Sequence, residues 1–143
     1  MPTTIEKLTP EDEALIAAAR DTIERRYIEN RHHIAAALRT KRGNIYTAVH
    51  LDTYVGRASV CAEAIAVGKA MAEGDREIVA IVSVRHPRPR EANREIQVVS
   101  PCGICRELLN DFARDCQVII PVDGQLGRVS VADLLPVKYT RLP

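Results

Sequence analysis

The fold of this chain follows most directly from residues 61–84, which read CAEAIAVGKAMAEGDREIVAIVSV. Residues 62–72 are rich in alanine and favour a helix, which should end near Gly74. Residues 78–84 form a β-branched run that suits a buried strand. A helix followed directly by a buried strand indicates the alternating order of an α/β protein.

The segment before this stretch predicts a helix and a hairpin. Residues 9–13, Thr-Pro-Glu-Asp-Glu, supply an N-cap, a proline at the first helical position and an acidic first turn, and this helix should end near Asn30. Two short extended runs, 34–38 and 45–51, then flank a turn that contains Gly43. A glycine able to take positive φ between two extended runs predicts a β-hairpin.

The segment after it continues the alternation. A polar, proline-bearing stretch covers residues 85–94, a helix is predicted over 103–114, and a further strand over 118–120. We expect this strand to pair in parallel with 78–84, because a helix between two strands provides the crossover that parallel pairing needs.

Length and composition predict one globular domain over residues 1–143. The chain is 46% hydrophobic and 27% charged, which is a globular balance. The formal net charge is only +1, and basic residues are interspersed with acidic ones, so long nucleic acid is not an expected partner. No apolar run approaches the roughly 20 residues of a membrane span, and no signal-peptide pattern opens the chain. We therefore expect a cytoplasmic protein without a membrane partner.

The cysteines carry the chemistry. In a reducing compartment, four cysteines suggest metal binding or catalysis more than disulfides. Cys61 opens one predicted helix, and Cys102 and Cys105 lie three residues apart at the start of another, so their sulfurs can converge. Three thiolates with an open fourth position form a catalytic type of zinc site, and soft ligands favour Zn²⁺ over magnesium or calcium.

Glu63 makes the catalytic interpretation specific. It lies two residues after Cys61, where it can take a proton from an activated water and pass protons to a ring nitrogen and a leaving amine. Two helix N-termini would offset part of the negative charge of the thiolates.

The motifs Cys61-Ala62-Glu63 and Pro101-Cys102-Gly103-Ile104-Cys105 resemble the cytidine deaminase family, whose pattern is Cys-Ala-Glu followed by Pro-Cys-x-x-Cys. The resemblance extends from about His32 to Tyr139. It implies a three-layer α-β-α fold with a mixed five-stranded sheet, and a homotetramer with active sites built across subunits. It also implies zinc-dependent deamination of cytidine or deoxycytidine, with a small nucleoside as the partner.

The same resemblance assigns substrate-binding positions. Ala62 belongs to the first motif, and His50 and Asp52 occupy the positions of the family's Asn-x-Glu, which grips the ribose hydroxyl. His32 stands where the family has a Phe that stacks on the pyrimidine. The carboxylate here is shorter, and the ring is smaller and titratable, so substrate recognition is expected to differ.

Two further departures widen the choice of substrate. Ala64 replaces an Arg that offsets the thiolate charge in three-thiolate members, for which Arg57 or Arg106 could substitute. Blasticidin S deaminases, which act on a modified cytosine nucleoside, are similar in lacking that Arg and in the ending found here at 134–139. Such a nucleoside or another aminated base is the alternative substrate. Residues 85–96 resemble an insertion that is either a lid or an inert loop.

Three other interpretations remain open. Cys116 could complete a structural four-thiolate site, although it stands alone in sequence and is better explained as a buried free thiol. Cys102 and Cys105 could form a redox pair, which would leave Cys61 and Glu63 unexplained. The chain could also be a zinc-stabilised binding module without turnover.

Overall fold

The computed structural model describes residues 5–141 of this chain. The helices are α1 (Pro10–Arg26), α2 (Ala62–Ala72) and α3 (Gly103–Phe112). The strands are β1 (Ile34–Thr40), β2 (Ile45–Val49), β3 (Ile78–Arg85), β4 (Gln97–Val99), β5 (Gln117–Val122) and β6 (Gln125–Ser130). Within the described residues, no helix has both the length and the apolar character required to cross a membrane.

The strands form one mixed sheet. Five of them follow the order β2-β1-β3-β5-β6, in which β3 and β5 are parallel and the other neighbours are antiparallel. The short β4 pairs antiparallel with Ser83–Arg85 at the end of β3, beyond Ala80 and Ile81 where β5 pairs. The predicted hairpin and parallel pair are confirmed, but the sheet has six strands because β4 adds one to the expected five.

Helices cover both faces of the sheet. On one face, α1 packs on alternate residues of β1, including Ala35 and Ala37. On the other face, α2 and α3 contribute to a core that contains the intervening Ala36 and Leu38. Because successive strand residues point to opposite faces, one strand serves both cores. This arrangement confirms the predicted three-layer α-β-α architecture.

The start of α1 follows its sequence signals. Thr9 is the N-cap and forms a reciprocal capping box with Asp12, while Pro10 opens the helix. Asp12 is fully buried, and its carboxylate lies 3.8 Å from a guanidinium nitrogen of Arg39 on β1 and 3.6 Å from one of Arg128 on β6. The cap therefore also fastens α1 to two strands.

The end of α1 differs from expectation. The helix stops at Arg26 instead of continuing to about Asn30. Asn30 has a φ of 63°, and a bridge joins Ile28 to His32 in a tight turn. This turn directs the chain into β1. The spacing of apolar residues predicts a helix but not its last residue, because the turn depends on a contact formed after the helix.

A buried carboxylate joins α2 and β3 to the hairpin. Asp75 follows Gly74, whose φ of 73° ends the helix region. One oxygen of Asp75 accepts hydrogen bonds from the Thr40 hydroxyl (2.7 Å), the Asn44 side-chain amide (2.9 Å) and the Tyr46 hydroxyl (3.1 Å). These contacts hold the β1–β2 turn against the end of α2, the helix that begins at Cys61.

Replacing Asp75 with Asn should lower stability at neutral pH. Hydrogen bonds from Asn44, and also from Thr40 and Tyr46, outweigh burial and hold the pKa of Asp75 below its ordinary value of 3.8. The resulting stabilisation is present above that value and is lost as the pH falls through the lower folded pKa. Urea midpoints of the two proteins should therefore converge in acid. Glu73→Gln, at an exposed neighbouring position, is the matched control; equal midpoints for Asp75→Asn and wild type at neutral pH would contradict the assignment.

Candidate active site

Two helix N-termini bring three cysteines together. Cys61 is the N-cap of α2 and Cys102 is the N-cap of α3, both in extended backbone conformation. Cys105 lies in the first turn of α3 and is buried. The three sulfur atoms lie within 4.8 Å of one another. Residues distant in sequence thus form one soft, electron-rich cluster.

The spacing of the sulfurs fits a tetrahedral zinc ion. Zn–S bonds of about 2.3 Å at tetrahedral angles separate two sulfurs by roughly 3.8 Å. The sulfurs of Cys61 and Cys102 are 3.7 Å apart, far longer than a disulfide, and all four cysteines are free. Cys116 is buried outside the cluster, so among the described residues it does not supply a fourth sulfur.

The pKa values of the three thiols also favour a bound cation. Burial raises the pKa of Cys61 and of Cys105, and the nearby Glu63 carboxylate raises both further. At Cys102 burial acts in the same direction, but hydrogen bonds from Cys105, Cys61 and Ile104 outweigh it and lower the pKa. A coordinating cation removes thiol protons outright, so three thiolates at this spacing are consistent with a divalent metal.

A small cavity opens beside the cysteines. Its volume is about 160 Å³, and it is lined by Ile34, His50, Ser59, Val60, Cys61, Ala62, Glu63, Val99, Ser100 and Cys102. Glu63 is only 5% exposed, although it is a charged residue in the first turn of α2. The site therefore combines a buried carboxylate, three converging thiols and room for a small ring. These are the features that a zinc-dependent hydrolase requires.

Sequence comparison identifies the family. A family model described as the cytidine and deoxycytidylate deaminase zinc-binding region matches residues 9–120. The match covers most of the chain, which therefore belongs to this family of zinc-dependent hydrolytic deaminases.

Individual relatives agree. A Bacillus cereus protein named blasticidin-S deaminase is 48% identical over 134 residues, covering 94% of this chain and 96% of that protein. A cytidine deaminase of Sporosarcina psychrophila is 30% identical over 135 residues, covering 90% and 91%. The crystal structure of the cytidine deaminase from Bacillus anthracis matches with a TM-score of 0.76 at 26% identity, covering 92% of this chain and 90% of that one.

His50 lines the cavity, and its hydrogen bonds define which ring nitrogen carries the proton. Its Nδ1 accepts the backbone N–H groups of His33 (3.0 Å) and Ile34 (3.1 Å). A nitrogen that accepts carries no proton, so the neutral ring must hold its proton on Nε2. Burial lowers the pKa of His50 below its ordinary value of 6.5, which favours this neutral form. His50 is therefore a hydrogen-bond donor through its second nitrogen.

The other two predicted recognition residues lie further out. Asp52 does not line the cavity, but one of its carboxylate oxygens is 3.5 Å from the hydroxyl of Ser59, which does. His32 lies along a separate cavity with Lys69 and residues at the end of α1, and its Nδ1 is 2.8 Å from the His50 carbonyl oxygen. The structure brings Ala62, His50 and Glu63 to one cavity and places His32 along a different one.

The two arginines considered as replacements for the missing charge at Ala64 have different surroundings. Arg106 donates from Nε to the Pro101 carbonyl (2.9 Å) and from a terminal nitrogen to the Leu134 carbonyl (3.3 Å). Arg57 is exposed in a short 3-10 segment, Gly56–Ala58. Arg106 thus braces the residue before Cys102, while Arg57 faces solvent.

Sequence reasoning missed part of the cavity wall. Val99 and Ser100 come from β4 and the residue after it, and Ile34 comes from the first position of β1. The available signal was the run Ile96-Gln97-Val98-Val99 just before Pro101, which has strand character. Ser59 and Val60 directly precede Cys61, so their position next to the first motif was a signal for them, and the Leu51–Val60 bridge holds them at the site.

The tautomer of His50 is a direct test of this geometry. Nitrogen-15 chemical shifts should show His50 neutral with its proton on Nε2 at and above neutral pH. His32 and His86 are internal contrasts, because their Nδ1 atoms face the carbonyl oxygens of His50 (2.8 Å) and Pro87 (2.7 Å) and should carry protons. A protonated Nδ1 on His50 would contradict the described hydrogen bonds.

Proposed function

We propose that this chain deaminates the cytosine ring of a nucleoside by zinc-dependent hydrolysis, releasing ammonia and the corresponding uracil compound. The observation that carries this proposal is the Glu63 carboxylate, buried in a ring-sized cavity beside three converging thiols. Membership of the deaminase family gives the reaction, and the cavity supports the assignment of residues to roles.

Cys61, Cys102 and Cys105 are the proposed zinc ligands. Their sulfurs lie within 4.8 Å of one another, and a zinc ion held by all three would keep one coordination position for water. Zinc in such a site supplies Lewis acidity, which makes water easier to deprotonate near neutral pH. The N-termini of α2 and α3 carry partial positive charge and lie at the cysteines. They would offset part of the thiolate charge that an arginine at position 64 would otherwise offset.

Glu63 is the proposed proton carrier. Its carboxylate takes a proton from the attacking water and passes it to N3 of the cytosine ring as the water oxygen bonds to C4. It then takes the remaining hydroxyl proton and delivers it to the exocyclic amine. The C4–N bond breaks, ammonia leaves, and the C4 carbonyl forms. One proton of the water then remains on N3, the other leaves with ammonia, and the water oxygen becomes the C4 carbonyl oxygen.

The cavity supports recognition of the base with the sugar outside it. Pockets that enclose a drug-sized ligand measure roughly 300–1,000 Å³. This cavity measures about 160 Å³, so it suits a single ring. Ala62 and the donor nitrogen of His50 are the proposed contacts to the ring and the first sugar atoms, and Asp52 extends that surface through Ser59. His32 acts on this surface only indirectly, through its bond to the His50 carbonyl.

A modified cytosine nucleoside is the favoured substrate. The 48% identical Bacillus cereus relative carries the name blasticidin-S deaminase, whereas a relative named cytidine deaminase is 30% identical. Ala64 also follows the first motif where three-thiolate cytidine deaminases carry an Arg. Blasticidin S is therefore the first substrate to test, and cytidine and deoxycytidine are the second; their turnover would suggest a role in pyrimidine salvage.

A homotetramer in the cytoplasm is the proposed setting. Ile104, Leu108 and Phe112 recur every four residues along α3, and Ile104 and Phe112 are 77% and 53% exposed. An apolar stripe of this kind suits contact with another copy of the chain. Free thiols that must bind metal persist best in a reducing compartment.

Changing Glu63 to Gln should abolish turnover and leave zinc bound. Removal of a general acid–base group costs about 10²- to 10⁴-fold in rate, and here one group serves every proton step. Ammonia release should be measured with blasticidin S, cytidine and deoxycytidine, alongside zinc content by elemental analysis. A variant as active as the wild type would refute the proton-carrier role, and a zinc-loaded wild type inactive on the whole panel would favour a binding module.

Changing Cys105 to Ala should remove most of the zinc. The variant loses one of three proposed ligands. The two remaining thiols must still ionise in a buried site, with one metal bond fewer to stabilise the metal complex. Cys116→Ala is the matched control, because Cys116 is equally buried and lies outside the cluster. Zinc stoichiometry should fall well below one in the first variant and stay near one in the second. Equal zinc contents would contradict the ligand assignment.

A further inference from the structure

His33 is a buried polar residue that the proposed reaction does not use. Only 7% of it is exposed, and it directly precedes β1. Its ring makes a T-shaped contact with the ring of Tyr27, with centroids 5.4 Å apart, and its centroid lies 5.7 Å from that of His50. His50 lines the small cavity beside the cysteines, whereas His33 does not. His33 is therefore a neighbour of the cavity wall and not part of it.

The side chain of His33 closes the turn between α1 and β1. Its Nε2 accepts the backbone N–H of Asn30 at 2.8 Å. Asn30 is the residue of this turn with a positive φ, and the bridge between Ile28 and His32 closes the same turn through the backbone. Because Nε2 accepts, the neutral ring of His33 must hold its proton on Nδ1. Within residues 5–141, that Nδ1 is buried and has no hydrogen-bond partner, so the Asn30 N–H sets this tautomer.

The backbone of the same residue contacts His50. The N–H groups of His33 and Ile34 donate to Nδ1 of His50 at 3.0 and 3.1 Å, and the His50 N–H donates back to the Ile34 carbonyl at 2.9 Å. Nearby, the Asp52 N–H donates to the Arg31 carbonyl at 2.9 Å. These bonds join the end of the turn to the residues that follow β2. A displacement of the turn would therefore move the two N–H donors away from His50.

The two neighbouring histidines consequently hold opposite tautomers, with the proton on Nδ1 in His33 and on Nε2 in His50. Burial foremost, and then the charge of Arg88, lower the pKa of His33 below its ordinary value of 6.5. Burial also lowers the pKa of His50. Both rings therefore stay neutral near pH 7, and each keeps one accepting and one donating nitrogen. The tautomer of His50 depends on N–H donors whose position depends on the side chain of His33.

We propose that His33 is a positioning residue for the deamination, because its ring holds the turn that aims two backbone N–H groups at His50 and thereby keeps His50 a hydrogen-bond donor to the substrate. The second half of this inference rests on the proposed function, which takes the donor nitrogen of His50 as a substrate contact. The first half concerns the free protein and does not require turnover. A histidine that only filled the core would stabilise the domain without fixing the tautomer of its neighbour.

The tautomer of His33 is the first measurement. Nitrogen-15 chemical shifts of the zinc-loaded wild type at neutral pH should show His33 neutral with its proton on Nδ1, opposite to His50. The signals of His33 are assigned by their loss when this residue is replaced. A proton on Nε2 of His33 would overturn the inference, since that nitrogen could not then accept the Asn30 N–H.

Three variants separate positioning from packing. His33→Phe keeps a ring but removes the acceptor, so His50 should no longer hold a single tautomer. His33→Gln restores an acceptor the same number of bonds from the backbone as Nε2 and should return His50 to the Nε2 tautomer. Tyr27→Phe is the matched control, because it removes a buried hydroxyl without a hydrogen-bond partner in residues 5–141 and keeps the ring that contacts His33.

Kinetics supply the readout at the site. In His33→Phe, KM for the substrate found by ammonia release should rise about three- to tenfold, the effect of one lost hydrogen bond, while kcat and zinc content stay near their wild-type values. His33→Gln and Tyr27→Phe should keep the wild-type KM. An unchanged His50 tautomer in His33→Phe, the same changes in Tyr27→Phe, or a fall in kcat at constant KM would overturn the inference.

Failure of the proposed function is distinguishable from failure of this inference. A wild type inactive on every substrate would remove the kinetic test, whereas the tautomers would still decide whether His33 positions His50. If His33→Phe does not fold, the wild-type tautomer of His33 and the behaviour of His33→Gln remain decisive. Loss of the Nε2 tautomer of His50 in His33→Gln would contradict the role of the acceptor.

Discussion

Everything in this protein depends on holding three sulfur atoms within 4.8 Å of one another while their negative charge is compensated. Thiolates repel at that distance, and burial adds to the cost of ionising them. Two helix N-termini, which carry partial positive charge, reduce this cost, because α2 and α3 each have a cysteine as the N-cap residue. The packing of α2 and α3 on the same face of the sheet keeps those helix ends close together.

The contacts that surround this convergence are mostly polar anchors between elements. Asp75 fastens the end of α2 to the first hairpin, Asp12 fastens α1 to β1 and β6, and Arg106 fastens the start of α3 to the carbonyl of Leu134. Asp75 and Asp12 lie away from the cysteines, whereas Arg106 directly follows Cys105 and also donates to the carbonyl of Pro101. The site is consequently a property of the whole domain.

Much of this could be predicted because the deciding signals are local. Residues 62–72 and 103–112 have the composition and spacing of helices, and the motif cysteines lie at their starts, so the convergence of the sulfurs followed from sequence. The left-handed positions at Gly43 and Gly74 were equally readable as turns. The features that the sequence did not reveal depend on tertiary pairing. The three-residue β4 pairs with the end of β3, β6 pairs with β5, and α1 ends at a bridge between Ile28 and His32. The position of His32 outside the small cavity has the same cause, since its bond to the His50 carbonyl joins a residue just before β1 to a residue just after β2.

The cysteines at the helix starts have one more consequence. An N-cap is normally Ser, Thr, Asp or Asn, whose oxygen accepts a hydrogen bond from the first turn, but Cys61 makes no side-chain capping bond at the start of α2. If Cys61 and Cys102 hold zinc as proposed, the metal links the starts of α2 and α3 to each other. Scarcity of zinc in the cell would then reduce the amount of folded protein that accumulates. The abundance of the protein, as well as its catalytic rate, would depend on the zinc supply.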